Sequence, residues 1–385
     1  MDSLVKYLDG LPTSGPAVRK PFELGNAAMD ACKWDEAIGH FREALKAAQG
    51  TEFVALFNLI GLCYYTSSRP DDALRNYKES ARLAEPFGDK QGSAAALGYI
   101  GIIYSTKGEP DKALKCYEEA LAIYREIGYQ QGVADNLGNI GLIYSAKGEP
   151  DRALMCYEEA LAIHREIGYQ PGVASDLGNI GSIYSTKGGL DKALMYYDEA
   201  LAIHREIGYQ QGVANHLGDI GLIYSAKGEP GKALKYFEDA LAMHREIGYQ
   251  QGVGSDLGNI GMAYCAIGDH SSALQYFEEA LAIHREAGHK QGVVSHLTNM
   301  GMTLMDMGKH EQAAPKLAEA LTVSWAARVA DGSRLVLSGL VRCEDELGRK
   351  RMEGLFKDAG FDGETIAGLL KAIDHVRSEM GKAKK

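Results

Sequence analysis

The sequence predicts an all-α fold, an α-solenoid in which pairs of helices stack one after another along the chain. The first observation is a 40-residue unit that recurs without a gap at Ile140–Asn179, Ile180–Asp219 and Ile220–Asn259, with more divergent copies on either side. The second is that each unit contains two runs of apolar residues at helical spacing. Because self-similarity at a fixed period indicates stacked repeats, we expect each unit to bury its apolar side against its neighbours.

The two helices of a unit are called helix A and helix B. Helix A is predicted by apolar residues three or four positions apart from Val133 to Tyr144. Gly148 suits a helix C-terminus and Pro150 the first turn of helix B, which runs on to Gly168. We expect about 17 residues per helix, or about 25 Å at about 1.5 Å per residue. Glycines inside helix A, Gly138 and Gly141, are expected where helices approach closely, because a helical glycine otherwise costs about 1 kcal/mol.

The spacing of these residues resembles a known family. The run Leu-x2-Ile-Gly-x2-Tyr beginning at Leu137, followed by Ala-x3-Tyr beginning at Ala153, resembles the tetratricopeptide repeat (TPR) pattern W-x2-L-G-x2-Y…A-x3-F. The period of this chain is 40 residues, whereas TPRs repeat about every 34 residues. The Leu-Gly-Asn run and the Arg-Glu-Ile-Gly ending are most similar to the repeats of Pins-type (Leu-Gly-Asn repeat) adaptors. The resemblance implies a right-handed TPR superhelix of about eight to nine helix-turn-helix repeats with helix A lining its concave groove.

The domain organisation follows from the extent of this pattern. We expect a flexible N-terminal tail at residues 1–20, the TPR solenoid at 21–360, and a C-terminal capping helix with a basic tail at 361–385. A cap is expected because terminal repeats need a polar outer face. Its apolar stripe consists of Ile366, Leu369, Leu370, Ile373 and Val376. The alternative is that this helix binds a partner.

Composition restricts the classes of function. The net charge of −11 and the pI near 5.5 argue against a general nucleic-acid or anionic-membrane binder, which would carry a basic surplus. No apolar run is long enough to predict a membrane span. The six cysteines are scattered over different repeats and form no C-x-x-C pair. We therefore expect a cytoplasmic protein without nucleic-acid partners, and nothing in the sequence indicates a homo-oligomer.

The search for chemistry predicts no enzyme. Helix B carries one histidine per repeat at His164, His204, His244 and His284. We interpret this ladder as semi-buried packing, because packed helices lie about 8–10 Å apart whereas zinc ligands lie within about 2.1 Å of the metal. No catalytic triad, phosphate-binding loop or metal motif stands out. We expect neither a cofactor nor a bound metal.

Binding is expected in the groove. By the resemblance to Pins-type adaptors, an asparagine of helix A faces the interior of the superhelix and binds a partner's backbone. The corresponding positions are Asn139, Asn179, Asp219, Asn259 and Asn299, and the aspartate interrupts the series. Further groove candidates are Ser145, Ser185, Leu142 and Leu222.

A second candidate surface is a row of tyrosines between helix B and the next helix A. Its members are Tyr129, Tyr169, Tyr209 and Tyr249. Tyrosine brings contact area and a hydroxyl group at low entropy cost, so the row suits an adhesive edge. The alternative is that each ring covers the adjacent helix ends.

These patterns predict a non-enzymatic scaffold or adaptor that binds an extended protein segment in its concave groove. The alternative is a regulatory receptor for a short signalling peptide, by resemblance to the TPR receptors of bacterial quorum peptides. Both hypotheses require a protein or peptide partner.

Overall fold

The computed structural model describes residues 15–327 and 333–383, which form nineteen helices and no strand. In chain order the helices are α1 (Pro16–Asp30), α2 (Trp34–Leu45), α3 (Glu52–Thr66), α4 (Pro70–Phe87), α5 (Lys90–Thr106), α6 (Pro110–Ile127), α7 (Gln130–Ala146), α8 (Pro150–Glu166), α9 (Gln170–Thr186), α10 (Leu190–Glu206), α11 (Gln210–Ala226), α12 (Pro230–Glu246), α13 (Gln250–Ile267), α14 (His270–Glu286), α15 (Lys290–Asp306), α16 (His310–Ala327), α17 (Ser333–Leu347), α18 (Arg349–Asp358) and α19 (Gly363–Ala383). The predicted all-α repeat fold is confirmed. No described helix combines the length and the apolar character needed to span a bilayer.

The chain forms two compact units, Met1–Lys187 with α1 to α9 and Gly188–Lys385 with α10 to α19. Within each unit, consecutive helices pack as hairpins, such as α7 with α8 and α13 with α14. The odd-numbered helices up to α17 are the predicted A helices. They also touch one another directly, α7 with α9 in the first unit, and α11 with α13 and α13 with α15 in the second. Each unit therefore presents a face made of A helices.

The turns form as the sequence predicts. Gly148 and Gly168 adopt φ values of +73° and +70°, which lie in the left-handed region where glycine is favoured. After α8 the backbone N–H of Tyr169 donates to the carbonyl of His164 at 2.9 Å, which closes the helix end. Pro150 is the first residue of α8, where its missing N–H costs no hydrogen bond. One glycine and one proline thus set where one helix stops and the next begins.

The two glycines of α7 have different reasons. A Cβ at Gly141 would lie 2.6 Å from the ring of Tyr157, so the buried ring of α8 requires this glycine. At Gly138 the nearest atom would be a carboxylate oxygen of Asp176 at 3.9 Å, which is ordinary contact. The expected close approach is therefore found at Gly141 but not at Gly138, where a Cβ would make only an ordinary contact.

These glycines give a matched pair of substitutions in one helix. We expect Gly141→Ala to lower the free energy of unfolding by about 1–2 kcal/mol, since overpacking against Tyr157 outweighs the gain in helix propensity. Gly138→Ala should raise it by up to about 1 kcal/mol, because only the propensity changes. Urea unfolding followed by circular dichroism measures both. Equal effects of the two substitutions would contradict the contact.

Neighbouring repeats are linked at the turn after helix A. The ammonium of Lys147 lies 2.8 Å from a carboxylate oxygen of Asp111, and that of Lys227 lies 2.6 Å from Asp191. Exposed pairs of this kind contribute little to stability, because water and salt screen the two charges. One repeat further along, Gly231 stands at the position of Asp191, and Ile267 stands at the position of Lys227. Both members of the pair are thus absent together.

The last helix, α19, packs its predicted stripe into the end of the second unit. Leu369 and Ile373 are 0% exposed and belong to a core cluster that includes Leu317 of α16 and Leu340 of α17. A nitrogen of Arg377 lies 2.6 Å from the buried carboxylate of Glu344. The role of α19 as a cap stays a prediction. Residues 384–385 of the predicted basic tail lie outside the described residues.

The N-terminal tail was expected at residues 1–20. Its first fourteen residues lie outside the part of the chain that the structure describes. From Pro16 the chain is helical, so α1 begins within the segment expected to be a tail. The reason is local, since proline is pre-organised for the first turn of a helix.

Candidate functional site

Two adjacent cavities open on the A-helix face of the second unit. The smaller one, about 370 Å³, lies between α11 and α13, and its lining includes the predicted residues Asp219, Leu222 and Asn259. The larger one, about 510 Å³, lies between α13 and α15, and its lining includes Asn259 and Asn299. Asn259 and Ser255 line both cavities. The structure therefore brings the predicted groove residues of three successive A helices together.

Helix geometry explains this grouping. Asp219 and Leu222 are three residues apart, as are Asn259 and Met262, so each pair shares one helix face. Leu222 is 45% exposed and Met262 50%, which is high for large apolar side chains, whereas Asp219 and Asn259 are half-buried. The cavity lining thus combines exposed apolar groups with amide and carboxylate groups.

The first unit holds the other groove candidates. Asn139 of α7 and Asn179 of α9 are half-buried, as is Ser185, whereas Leu142 and Ser145 are exposed. The two asparagines occupy the same position in their helices as Asn259 does in α13. Their role in binding remains a prediction.

A row of buried polar contacts lies beneath the A-helix face. Each helix-B histidine meets the residue twelve positions later, on the next helix A. His164 Nδ1 lies 2.7 Å from an Asp176 oxygen and His244 Nδ1 lies 2.6 Å from Asp256. The other pairs are two histidines, with the rings of His204 and His216 stacked at 5.0 Å and nitrogens of His284 and His296 at 3.0 Å. The partner thus alternates between aspartate and histidine along the repeats.

The predicted packing of the histidine ladder is only part of its role. His164, His204, His244 and His284 are all buried, but they pack through specific polar partners that sequence reasoning missed. The available signal was the constant spacing of twelve residues from histidine to aspartate or histidine. Among the described residues, no group of three or more His, Cys, Asp or Glu side chains is placed to hold a metal ion.

Two of these pairs, that of His164 with Asp176 and that of His284 with His296, differ in their electrostatics. Burial alone would lower the pKa of His164, but hydrogen bonds to Asp135 and Asp176 and their charges outweigh it and raise this pKa to about 9. Burial, with His284 and His289 nearby, lowers the pKa of His296 to about 4. His164 is therefore protonated at neutral pH, whereas His296 is neutral.

The low pKa of His296 predicts a loss of stability in acid. The pKa of His296 in the folded chain lies below its ordinary value of 6.5. Its contribution to the free energy of unfolding is therefore present above pH 6.5 and is lost as the pH falls towards 4. Between pH 6.5 and 5 this group alone should cost about 2 kcal/mol. Urea unfolding is measured at pH 7 and pH 5. The fall in the free energy of unfolding between these two pH values should be smaller in His296→Asn than in the unchanged chain by about 2 kcal/mol. The same acid loss in both proteins would contradict the assignment.

The tyrosine row lies beside the buried histidines. The rings of Tyr169, Tyr209 and Tyr249 contact His164, His204 and His244 at centroid distances of 5.4, 5.1 and 5.4 Å. Each of these tyrosines directly precedes an A helix, and so does Tyr129. Tyr209 is exposed and the others are half-buried, and Tyr249 also lines the smaller cavity. The row therefore covers helix ends and, at Tyr249, borders the groove.

Sequence comparison agrees with this architecture. A family model described as tetratricopeptide repeat matches residues 51–126, 132–206, 177–246, 211–286 and 256–326, which together are more than half of the chain. No curated protein matches the sequence.

Three solved structures are similar to this chain at low sequence identity. The apo form of the quorum sensor NprR from B. thuringiensis is 16% identical, with a TM-score of 0.66 over 84% of this chain and 91% of that one. A Rap protein complexed with Competence and Sporulation Factor is 14% identical, with a TM-score of 0.60 over 95% and 98%. A signal transduction ATPase with a tetratricopeptide repeat sensor from Pyrococcus horikoshii is 17% identical, with a TM-score of 0.60 over 91% and 53%. At these identities the likeness concerns the fold alone.

Proposed function

Because the chain belongs to the tetratricopeptide repeat family, we propose that it is a non-enzymatic scaffold that binds an extended protein segment along its A helices. The observation that carries the proposal is the pair of adjacent cavities in the second unit, with Asp219, Asn259 and Asn299 on three successive A helices. The resemblance to Pins-type adaptors points the same way, since their helix-A asparagines bind a partner's backbone.

The chemistry of the lining supports an extended segment. An asparagine side chain offers both a donor and an acceptor, which match the N–H and C=O groups of a peptide backbone. Leu222 and Met262 beside the asparagines offer exposed apolar area for the side chains of the segment. Such a surface binds a segment mainly through hydrogen bonds to its backbone and additionally through apolar contacts to its side chains, as expected of a scaffold for an extended segment.

A regulatory receptor for a short signalling peptide is the second candidate. It is favoured by the similarity to a quorum sensor and to a Rap protein in complex with Competence and Sporulation Factor. A receptor changes conformation with its ligand because the ligand binds one conformation better than another. Small-angle scattering with and without a bound peptide separates the two: a changed profile favours the receptor and an unchanged one the scaffold.

The function is tested by affinity selection from a phage-displayed library of random dodecapeptides on the immobilised full chain. A selected peptide, labelled with fluorescein, should bind Asn259→Ala/Asn299→Ala more weakly by about 1–3 kcal/mol, or about 0.5–1.5 kcal/mol per backbone hydrogen bond. Gln275→Ala, which removes an exposed amide from helix α14, is the matched control and should bind as the unchanged chain does. Alanine favours helix, so the melting temperature should not fall.

Two results would contradict this proposal. Recovery of no peptide above background would remove peptide binding itself. Unchanged affinity of the double variant with a lower melting temperature would assign the asparagines to the architecture.

A further inference from the structure

The aspartate that interrupts the asparagine series lies in a well-defined surrounding. The side chain of Asp219 is 38% exposed, and one of its oxygens lies 3.4 Å from Nδ1 of His216. His216 is itself buried and stacked on His204 at 5.0 Å, so Asp219 lies beside a buried pair of histidines. One oxygen of Asp219 thus lies near His216, while the side chain lines the smaller cavity.

The second carboxylate of this cavity is already engaged. Asp256 lies 2.6 Å from Nδ1 of His244, and Nε2 of the same histidine lies 3.2 Å from the side-chain oxygen of Asn215. Both nitrogens of His244 therefore have partners. The lining of this cavity, all of it within the described part of the chain, contains neither lysine nor arginine. Asp219 thus supplies a negative charge that no lysine or arginine of the lining offsets.

The rest of the lining suits a long cationic side chain. Tyr249 lines the same cavity, and an aromatic ring attracts an ammonium or guanidinium group. Leu222 is exposed there and offers apolar surface to a methylene stem. The net charge of −11 also favours the approach of basic segments. A carboxylate, an aromatic ring and an exposed apolar side chain together suit the binding of a lysine or arginine side chain.

We propose that the cavity between α11 and α13 receives a lysine or arginine side chain of the bound segment, with Asp219 as its counter-charge. The inference rests on the proposed function and adds the chemical class of the partner, a basic segment. Among the described residues, the lining of the larger cavity includes no aspartate or glutamate and instead carries Asn259, Asn299 and three histidines. Selection for a positive charge is therefore confined to the Asp219 side of the two cavities.

The test compares selections from the random dodecapeptide library on four proteins: the unchanged full chain, Asp219→Asn, Asp239→Asn and Asn299→Asp. Asp239→Asn makes the same charge change at an exposed position of α12. Asp219→Asn and Asn299→Asp exchange residues that this chain already uses at one helix position. Circular dichroism is used to check that all four proteins are folded.

Peptides selected by the unchanged chain and by Asp239→Asn should be enriched in lysine and arginine, and Asp219→Asn should lose that enrichment. Asn299→Asp adds a carboxylate two A helices away, about 16–20 Å at about 8–10 Å per packed helix. Its peptides should gain a second basic residue about five to six positions from the first, at about 3.3 Å per extended residue. A selected basic peptide should bind Asp219→Asn about 10- to 100-fold more weakly.

The outcomes separate the two proposals. Selected peptides without basic enrichment, or with the same enrichment on Asp219→Asn, would overturn the inference and leave peptide binding intact. Recovery of no peptide by any of the four proteins would overturn both.

Discussion

Replacing Leu369 and Ile373 of α19 together with alanine is expected to unfold the C-terminal end of the second unit. Both side chains are completely buried, and α19 packs against α17 and α18. A buried leucine or isoleucine replaced by alanine costs about 2–5 kcal/mol, so the pair should cost about 4–10 kcal/mol if the two effects add. Urea unfolding measured by circular dichroism should show an early transition, because each repeat is held only by its neighbours.

The control for this prediction is Lys371→Ala, which removes an exposed side chain between the two buried ones. It should leave the unfolding curve within about 0.5 kcal/mol of the original. Size-exclusion chromatography should show association of the double variant, because the core at the end of the unit becomes exposed. A monomer with an unchanged unfolding curve would exclude a capping role and favour a partner-binding helix.

Removing the carboxylate of Asp176 is expected to destabilise the first unit strongly. The side chain is buried, and it contacts a protonated His164 at 2.7 Å. Breaking a buried ion pair from one side costs about 3–5 kcal/mol, because the remaining charge has lost its buried partner. Urea unfolding of Asp176→Ala at pH 7 measures this loss.

Two further variants show whether the charge pair is the cause. Asp135→Asn changes a more exposed carboxylate, whose oxygen lies 3.5 Å from Nε2 of His164. It should lower the free energy of unfolding by at most about 1 kcal/mol. Asp176→His recreates the histidine pairs found at His216 and His296, so it should be less damaging than alanine at pH 8 and lose stability in acid. Equal losses for Asp176→Ala and Asp135→Asn would contradict the buried pair.

Much of the fold follows from features that act over short distances. Gly148 and Pro150 determine a turn by their own conformational preferences, so the helix boundaries are predicted closely. Each repeat meets its neighbours in the same way, so the local pattern also predicts the stacking. Gly138 shows the limit, because sequence spacing alone does not show whether a neighbouring side chain reaches a helical glycine.

The candidate site is predicted in part. The helical register places Asp219 and Leu222 on one face of α11, and the repeat gives Asn259 the position of Asp219 in α13. The structure places all three around one cavity. Their role in binding stays a prediction. The contact of His244 with Asp256 and the place of Tyr249 in the lining were not predicted. They arise between helix B of one repeat and helix A of the next, so they depend on how the repeats stack and on side-chain orientation.

Photo-crosslinking tests most directly whether the A-helix face is the binding surface. Three variants each carry p-benzoylphenylalanine at one exposed apolar position: Leu222 of α11, Met262 of α13, and Met195 of α10, which is 71% exposed on a B helix of the same unit. Each is irradiated with a peptide selected from the dodecapeptide library, and adducts are identified by mass spectrometry. The account predicts adducts at positions 222 and 262 and none at 195. Adducts at 195, with none at 222 and 262, would contradict it.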